Sequence, residues 1–240
     1  NTVDNTNNVK TRVINDFSFR FNEKILENIG LKNNFNLYFK NLNSVGKNVT
    51  DYKSSPQIEL QSLIELNTEL PMYKVTPNNN QTLIPRISIR INPGDMKNHS
   101  TAERKIDMDN IFDINRLGID DSFESGNSLT LGVDFKNQSL SDDVNVFEFK
   151  LASVFRDETE KNIPSQTSLD DKSSNIFGSI DYKLSNLINL DYNFALDDKL
   201  ENFASNSIGL GVSLNNFVTN FNFIEEDTDQ GNTNIFENTT

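Results

Sequence analysis

The sequence predicts an all-β chain of about ten antiparallel strands and the opening of one more, and it favours part of a larger transmembrane β-barrel over a soluble sheet protein. Three observations carry this reading. Apolar and polar residues alternate with period two in run after run. Each run is close to the roughly 9 to 11 residues that a tilted membrane strand requires, the shortest falling a little under. The connections between runs alternate between a shorter and a longer set, as they do on the two rims of an outer-membrane barrel. Alternation alone would serve a soluble sandwich equally well, because its core excludes charge just as lipid does.

The first run covers 13–21, with Phe17, Phe19 and Phe21 on one side and Asp16, Ser18 and Arg20 on the other. The second, 31–40, sets Phe35, Leu37 and Phe39 against Asn34, Asn36 and Lys40. The longest, 57–70, puts Ile58, Leu60, Ile64, Leu66 and Leu70 on one face and Glu59, Gln61, Glu65 and Glu69 on the other. In the fourth, Leu83, Ile87, Ile89 and Ile91 oppose Arg86, Ser88 and Arg90, and Pro85 sits near its start, where a missing ladder donor is tolerable. Leu129, Leu131, Val133 and Phe135 then face away from Thr130, Asp134 and Lys136. Phe147, Phe149, Leu151 and Phe155 face away from Glu148, Lys150 and Arg156. Two hairpins follow, one joining 176–184 to 188–196 and the other joining 208–214 to 217–223, and the final residues TNIFENTT open a further strand.

These hairpins test the register. If Asn215 and Asn216 are the two central residues of a tight turn, Leu214 and Phe217 become directly opposed and their apolar tracks agree. A three-residue turn of Ser185, Asn186 and Leu187 pairs Leu184 with Ile188 in the same way. The shorter connections are 22–30, 71–81, 136–146, 185–187 and 215–216; the longer or comparable ones are 41–56, 92–127, 157–174, 197–206 and 225–233. The short set belongs to a periplasmic rim and the long set to an external one. No charged residue falls on an apolar track, where Lys or Arg would cost about 2–4 kcal/mol at the bilayer midplane.

Composition narrows the function classes. Only 35% of the residues are hydrophobic and no stretch of about 18 apolar residues occurs, which excludes a membrane helix but leaves a barrel open. A net charge of -13 argues against nucleic acid, whose binding depends on clustered cations. There is no cysteine, hence no disulfide, thiolate chemistry or Cys-bound metal. The single histidine, His99, lies in a polar loop, so neither a Ser-His-Asp triad nor a multi-histidine metal site can be assembled. Asp107, Asp109 and Asp113 lack the glycine and terminal glutamate of a calcium loop and read as a solvated acidic segment. Glu225, Glu226, Asp227 and Asp229 read as the wet tip of the last hairpin strand, and the sequons at Asn48, Asn98 and Asn137 arise easily in an Asn-rich chain. No catalytic residue, metal or cofactor is expected. We expect residues 1–240 to form one unit, a middle piece of a longer chain.

The stretch 110–132, NIFDINRLGIDDSFESGNSLTLG, organises the rest. It is a polar, tightly turning segment that delivers the chain into a strand. Asn115, Gly118 and Gly126 stand where a non-repetitive backbone needs tolerance of positive φ, and Arg116 has Asp113, Asp120, Asp121 and Glu124 as possible partners. An ion pair that holds the loop is the expected role of Arg116. By its spacing this loop lies on the external side or dips into the lumen from it.

The segment DMDNIFDINRLGIDDSFESGNSLTLGVDF resembles the barrel domain of the LPS-assembly outer-membrane protein family LptD, also called the organic solvent tolerance or OstA family. The positions that carry the resemblance are Asn110, Phe112, Asn115, Arg116, Gly118, Asp120, Glu124, Gly126, Leu129 and Gly132, with IPRISIRINPGD before them and FEFKLASVFRDE after. INLDYNFAL suggests an alphaproteobacterial-like member. The resemblance implies a bacterial outer-membrane translocon component that inserts lipopolysaccharide (LPS) into the outer leaflet and performs no chemistry. The implied partners are LPS, the outer membrane, a plug lipoprotein like LptE and a periplasmic bridge like LptA, reached through a jellyroll domain not found in this sequence. On this view Glu59, Glu65, Arg86, Arg90, Asp134, Lys150 and Asp181 line the lumen. A porin-like channel and a soluble all-β binding module are the alternatives.

Overall fold

Every strand segment predicted from alternation is present, and the strands join side by side into one antiparallel sheet. The computed structural model describes residues 7–50, 52–141, 145–215, 217–228 and 231–240. Its strands are β1 (Val9–Arg20), β2 (Lys24–Leu26), β3 (Leu31–Lys47), β4 (Gln57–Glu69), β5 (Met72–Val75), β6 (Asn79–Asn92), β7 (Gly126–Ser139) and β8 (Val146–Arg156), followed by β9 (Ile176–Lys183), β10 (Ile188–Leu196), β11 (Phe203–Leu214), β12 (Phe217–Thr228) and β13 (Gly231–Thr239). The path across the sheet is β1, β3, β4, β6 and then β7 to β13 in sequence, and β1 and β13 are its two ends. The sheet is not closed among the described residues.

Two short strands were not expected. β2 and β5 lie off the main path, pairing with β3 and β6 as continuations of β1 and β4. Prolines explain the second interruption. The Leu70 N–H donates to the Pro85 carbonyl at 3.1 Å, but proline has no N–H to return the bond, and Pro71 follows immediately. Because β2, β5 and the ends of β6 to β8 run into the predicted short connections, the first two shrink to tight turns at 27–30 and 76–78, and in the third β7 reaches Ser139 and β8 starts at Val146. The predicted long connection 225–233 also shrinks, since β12 and β13 stay paired to Thr228 and Gly231. Glu225, Glu226 and Asp227 are therefore strand residues rather than a loop tip, and Asp229 lies outside the described residues.

The register agrees with the apolar tracks. Leu214 pairs with Phe217, Asn215 takes a φ of 52°, and the Leu184 N–H donates to the Ile188 carbonyl at 3.1 Å. Asn216 lies outside the described residues. Successive side chains point to opposite faces, so the alternating pattern sorts one face from the other. On the outer face stand Phe17, Phe39, Leu60, Ile89, Leu131, Phe155, Leu210 and Phe221, all exposed, Leu60 by 80%. No second sheet covers them among the described residues.

This outer apolar band runs obliquely. Phe35, Leu66, Ile89, Leu129 and Phe155 form one row of cross-strand partners. In β3 the band continues from Phe35 toward the long-loop rim through Leu37 and Phe39, whereas in β8 it continues from Phe155 toward the short-turn rim through Leu151, Phe149 and Phe147. Farther on it follows the row Phe147, Tyr182, Leu190, Leu210 and Phe221, close to the short turns. A flat apolar slab crossing tilted strands would mark the sheet in this way.

The inner face holds the core. Loops 93–125 and 157–175 fold over it and bury Met96, Ile106, Met108, Ile111, Leu117, Ile119, Ile163 and Leu169 against Ala152, Val154, Phe177 and Ala195 of the sheet. Burying such side chains stabilises by about 1.5–3 kcal/mol each relative to exposure, enough to hold a long loop in one shape.

Candidate functional site

Loop 93–125 is anchored to the inner face by side chains from both. Gly126, at φ +75°, turns the chain into β7 and leaves Glu124 pointing inward beneath the loop. There Arg116 grips it with two parallel bonds, Nε to Oε2 and Nη2 to Oε1, each 2.7 Å. The same guanidinium donates to Thr130 Oγ1 at 2.9 Å, Ser128 Oγ at 3.1 Å and the Ile111 carbonyl at 3.3 Å. Arg156, from β8, pairs with Glu124 as well and donates to the Ser125 carbonyl. Burial works to raise the Glu124 carboxyl, but the charge and bonds of Arg116, then Arg156 and Arg90, outweigh it and bring the pKa down to about 2. Glu124 is thus an anion fixed between arginines, closed to water.

A second anchor lies alongside. Arg90 of β6 donates to Glu65 of β4 at 3.1 Å and to the Phe112 carbonyl of the loop at 2.7 Å. Glu65 also accepts from Asn36 Nδ2 at 3.1 Å and Tyr38 Oη at 3.3 Å, both from β3. The Phe112 ring sits over Gly132 of β7, where a Cβ would come within 2.7 Å of it, and Arg86 stacks on the ring 4.2 Å from its centroid. A third anchor is Asp121. It accepts from Tyr52 Oη at 2.7 Å, contacts His99 Nε2 at 2.9 Å and lies 3.7 Å from Arg12 of β1. The His99 hydrogen bond, with help from Tyr52 and Arg12 and against burial, holds its carboxyl well below the usual carboxylate range.

Within the loop, turn chemistry does the shaping. The Asn110 side chain bonds the Asp107 N–H and the Lys105 carbonyl, and Asp107 caps the N–H groups of Asp109 and Asn110. Gly118 has the expected positive φ, +60°, and its carbonyl accepts from Arg104 at 2.9 Å. Asn115 does not; its side chain caps the Ile119 N–H at 2.9 Å instead. Of the four acids offered to Arg116, the fold selects Glu124. Asp120 lies 3.6 Å from Arg12, and His99, read from sequence as a solvated loop residue, is engaged by Asp121.

The residues read as lumen-lining all point to the inner face but divide in two. Glu65 and Arg90 are covered by the loop, about 3% exposed, and face no open passage. Glu59 is bonded to Lys97 of the loop at 2.7 Å. Arg86 bridges Glu69 at 3.1 Å and Asp134 at 3.4 Å. Lys150 is half-buried and Asp181 is open. Sequence reasoning missed the buried inward apolar residues Leu42 and Leu63, and Val154 and Phe177, on which the loops pack. A signal was present: Leu63–Ile64, Val154–Phe155 and Ile176–Phe177 are adjacent apolar pairs, which break a period-two pattern wherever both faces of a strand are dry.

No group of three or more His, Asp or Glu that could hold a metal occurs among the described residues. What the arrangement can do is structural: it seals one part of the inner face and leaves the rest polar and open. A family model described as LptD, LPS transport system D, matches residues 41–238. No curated protein matches the chain.

Proposed function

The chain belongs to the LptD family, LPS transport system D, and from that premise we propose that residues 1–240 form part of the wall of the outer-membrane barrel that inserts LPS into the outer leaflet. The observation that carries this reading is the oblique outer band, exposed, free of charge and uncovered by any second layer among the described residues. A soluble module would have to seal that band in water. LPS is amphiphilic, so its carrier must offer sugars a polar interior while acyl chains remain with the bilayer. The inner face supplies the polar side. A plug lipoprotein like LptE would meet inward charged residues that the loops leave uncovered, such as the half-buried Lys150 and the open Asp181, and a periplasmic bridge like LptA would act through a separate jellyroll domain. Arg116, with Glu124, serves as the structural pin of the loop. A freely diffusive pore is the weaker reading, because two loops already fill part of the inner face.

The experiment is to place lysine in the band of the full-length protein. Ile64→Lys or Leu66→Lys adds about 2–4 kcal/mol to insertion if the site lies near the midplane, so outer-membrane insertion should fall sharply. Normal insertion of both variants would remove the lipid-facing assignment.

A further inference from the structure

The short-turn rim has a step at β5. β3 pairs with β4 as far as Lys32 and Glu69 and then leaves through the turn 27–30, whereas β5 runs on to Val75 and the turn 76–78. β5 therefore has β6 on one side and no strand on the other among the described residues. Its register fixes which backbone groups are free. The Leu70 N–H donates to the Pro85 carbonyl at 3.1 Å and the Thr76 N–H to the Asn79 carbonyl at 2.8 Å, and between them Met72 and Lys74 pair with Leu83 and Gln81 in the same register. Bonded and unbonded residues alternate along an antiparallel pair, so the N–H and C=O groups of Tyr73 and Val75 point away from β6 into the open lane.

The side chains along this lane are apolar and wet. Tyr73 and Val75 lie on the inner face, away from the outer band and not covered by loops 93–125 and 157–175, 73% and 76% exposed. On the other face Lys74 follows Met72 and is the only charged residue between Pro71 and Pro85. It makes no ion pair among the described residues.

We propose that this edge is a docking site for an extended polypeptide strand, added antiparallel to β5, which carries an acidic residue opposite Lys74 and apolar residues opposite Tyr73 and Val75. The main-chain groups set the class of partner, because free N–H and C=O groups on alternate residues fit another backbone rather than a lipid or a small molecule. The side chains set the pattern, since directly opposed residues share a face and opposite charges there attract. Pro71 and Lys74 are residue types with which edges are protected against indiscriminate pairing. Here they narrow the choice. Pro71 has no N–H, so pairing starts below it, and two copies of this edge would set lysine against lysine. The site is separate from the bridge that acts through the jellyroll domain, and only its position on the periplasmic side rests on the barrel-wall reading above.

The test uses the purified full-length protein with a photo-crosslinking amino acid in place of Tyr73 or, in the turn above the lane, Ile29. The probe is a biotinylated, end-capped peptide, Thr-Thr-Val-Glu-Val-Thr-Thr. Its adduct should exceed that of a counterpart with lysine at the centre several-fold, and Lys74→Glu should reverse the preference. N-methylation of both valines, whose N–H groups would face β5, should abolish the adduct, whereas N-methylation of the glutamate, whose N–H would face away, should leave it unchanged. No adduct, equal labelling by the two peptides, or indifference to the position of the methyl groups overturns the proposal. In cells the same label should capture a segment in which an acidic residue lies between two apolar ones. Capture of a second copy of this chain, of a segment without that pattern, or of nothing overturns it as well. The lysine variants Ile64→Lys and Leu66→Lys keep the two readings apart: their normal insertion removes the barrel wall and leaves peptide capture intact, whereas lost capture beside blocked insertion removes the edge site alone.

Discussion

Glu124 accepts from two arginines where water cannot replace either, so each partner is needed for the other's burial. Arg116→Ala takes the bidentate partner from the buried Glu124 carboxylate, leaving Arg156 alone to compensate it, and should cost about 3–5 kcal/mol, read as loss of the heat-modifiable gel shift of the full-length barrel; an unchanged shift would remove the pinning role. The sign of the pH effect follows from the same burial. Glu124 is depressed to about 2 and Asp121 is depressed as well, so their contribution is complete above the unfolded carboxylate range and is lost as pH falls through the folded values. Spin labels at Thr101 and Asn186 should keep one distance from neutral pH down to about pH 4.5, then broaden as pH approaches about 2; broadening at pH 6 would contradict it. Gly132 answers to packing rather than charge. Gly132→Ala puts a methyl against the Phe112 ring and should cost about 1–3 kcal/mol in thermal or denaturant unfolding.

At the scale of elements, the period-two signal was strong enough to give the strands, because each carries an exposed apolar face and, over most of its length, an inner face of polar side chains. Leu214 and Phe217 show how far it reaches: an apolar residue on either side of two asparagines was sufficient to set the hairpin register. Inserting one residue within β12, between Val218 and Thr219, would turn Phe221 and Phe223 inward while Phe217 stays outward and should abolish insertion, whereas a two-residue insertion there preserves the faces and should be tolerated. Equal behaviour of the two insertions in the gel-shift assay would refute the assignment. The choice of Glu124 by Arg116 was only partly legible, since four acids lay within reach in sequence and tertiary placement made the selection. Tyr52, Gln61 and Arg12 were not legible as loop anchors at all. They come from other elements, and nothing local marks a strand or loop residue as the partner of Asp121.

Across the whole molecule, the slant of the outer band converts a list of pairings into an orientation. If the band is the trace of a bilayer, the strands must lean by about 35–45° from its normal. Polarised infrared spectroscopy of the full-length protein in oriented membranes should return a tilt in that range, and strands upright in the bilayer would be incompatible with the pairing rows seen here. Loop 93–125 adds a further constraint. It touches β1 through Arg12 at one flank of the sheet and β12 through Lys105 and Glu226 at the other, with the buried arginines between. A single tie reaching from flank to flank acts as a spoke of fixed length. On the proposed reading of this sheet as part of a barrel wall, the stretch between β1 and β12 keeps its width while the spoke is in place, and widening for a bulky passenger has to come from strands that the spoke does not reach.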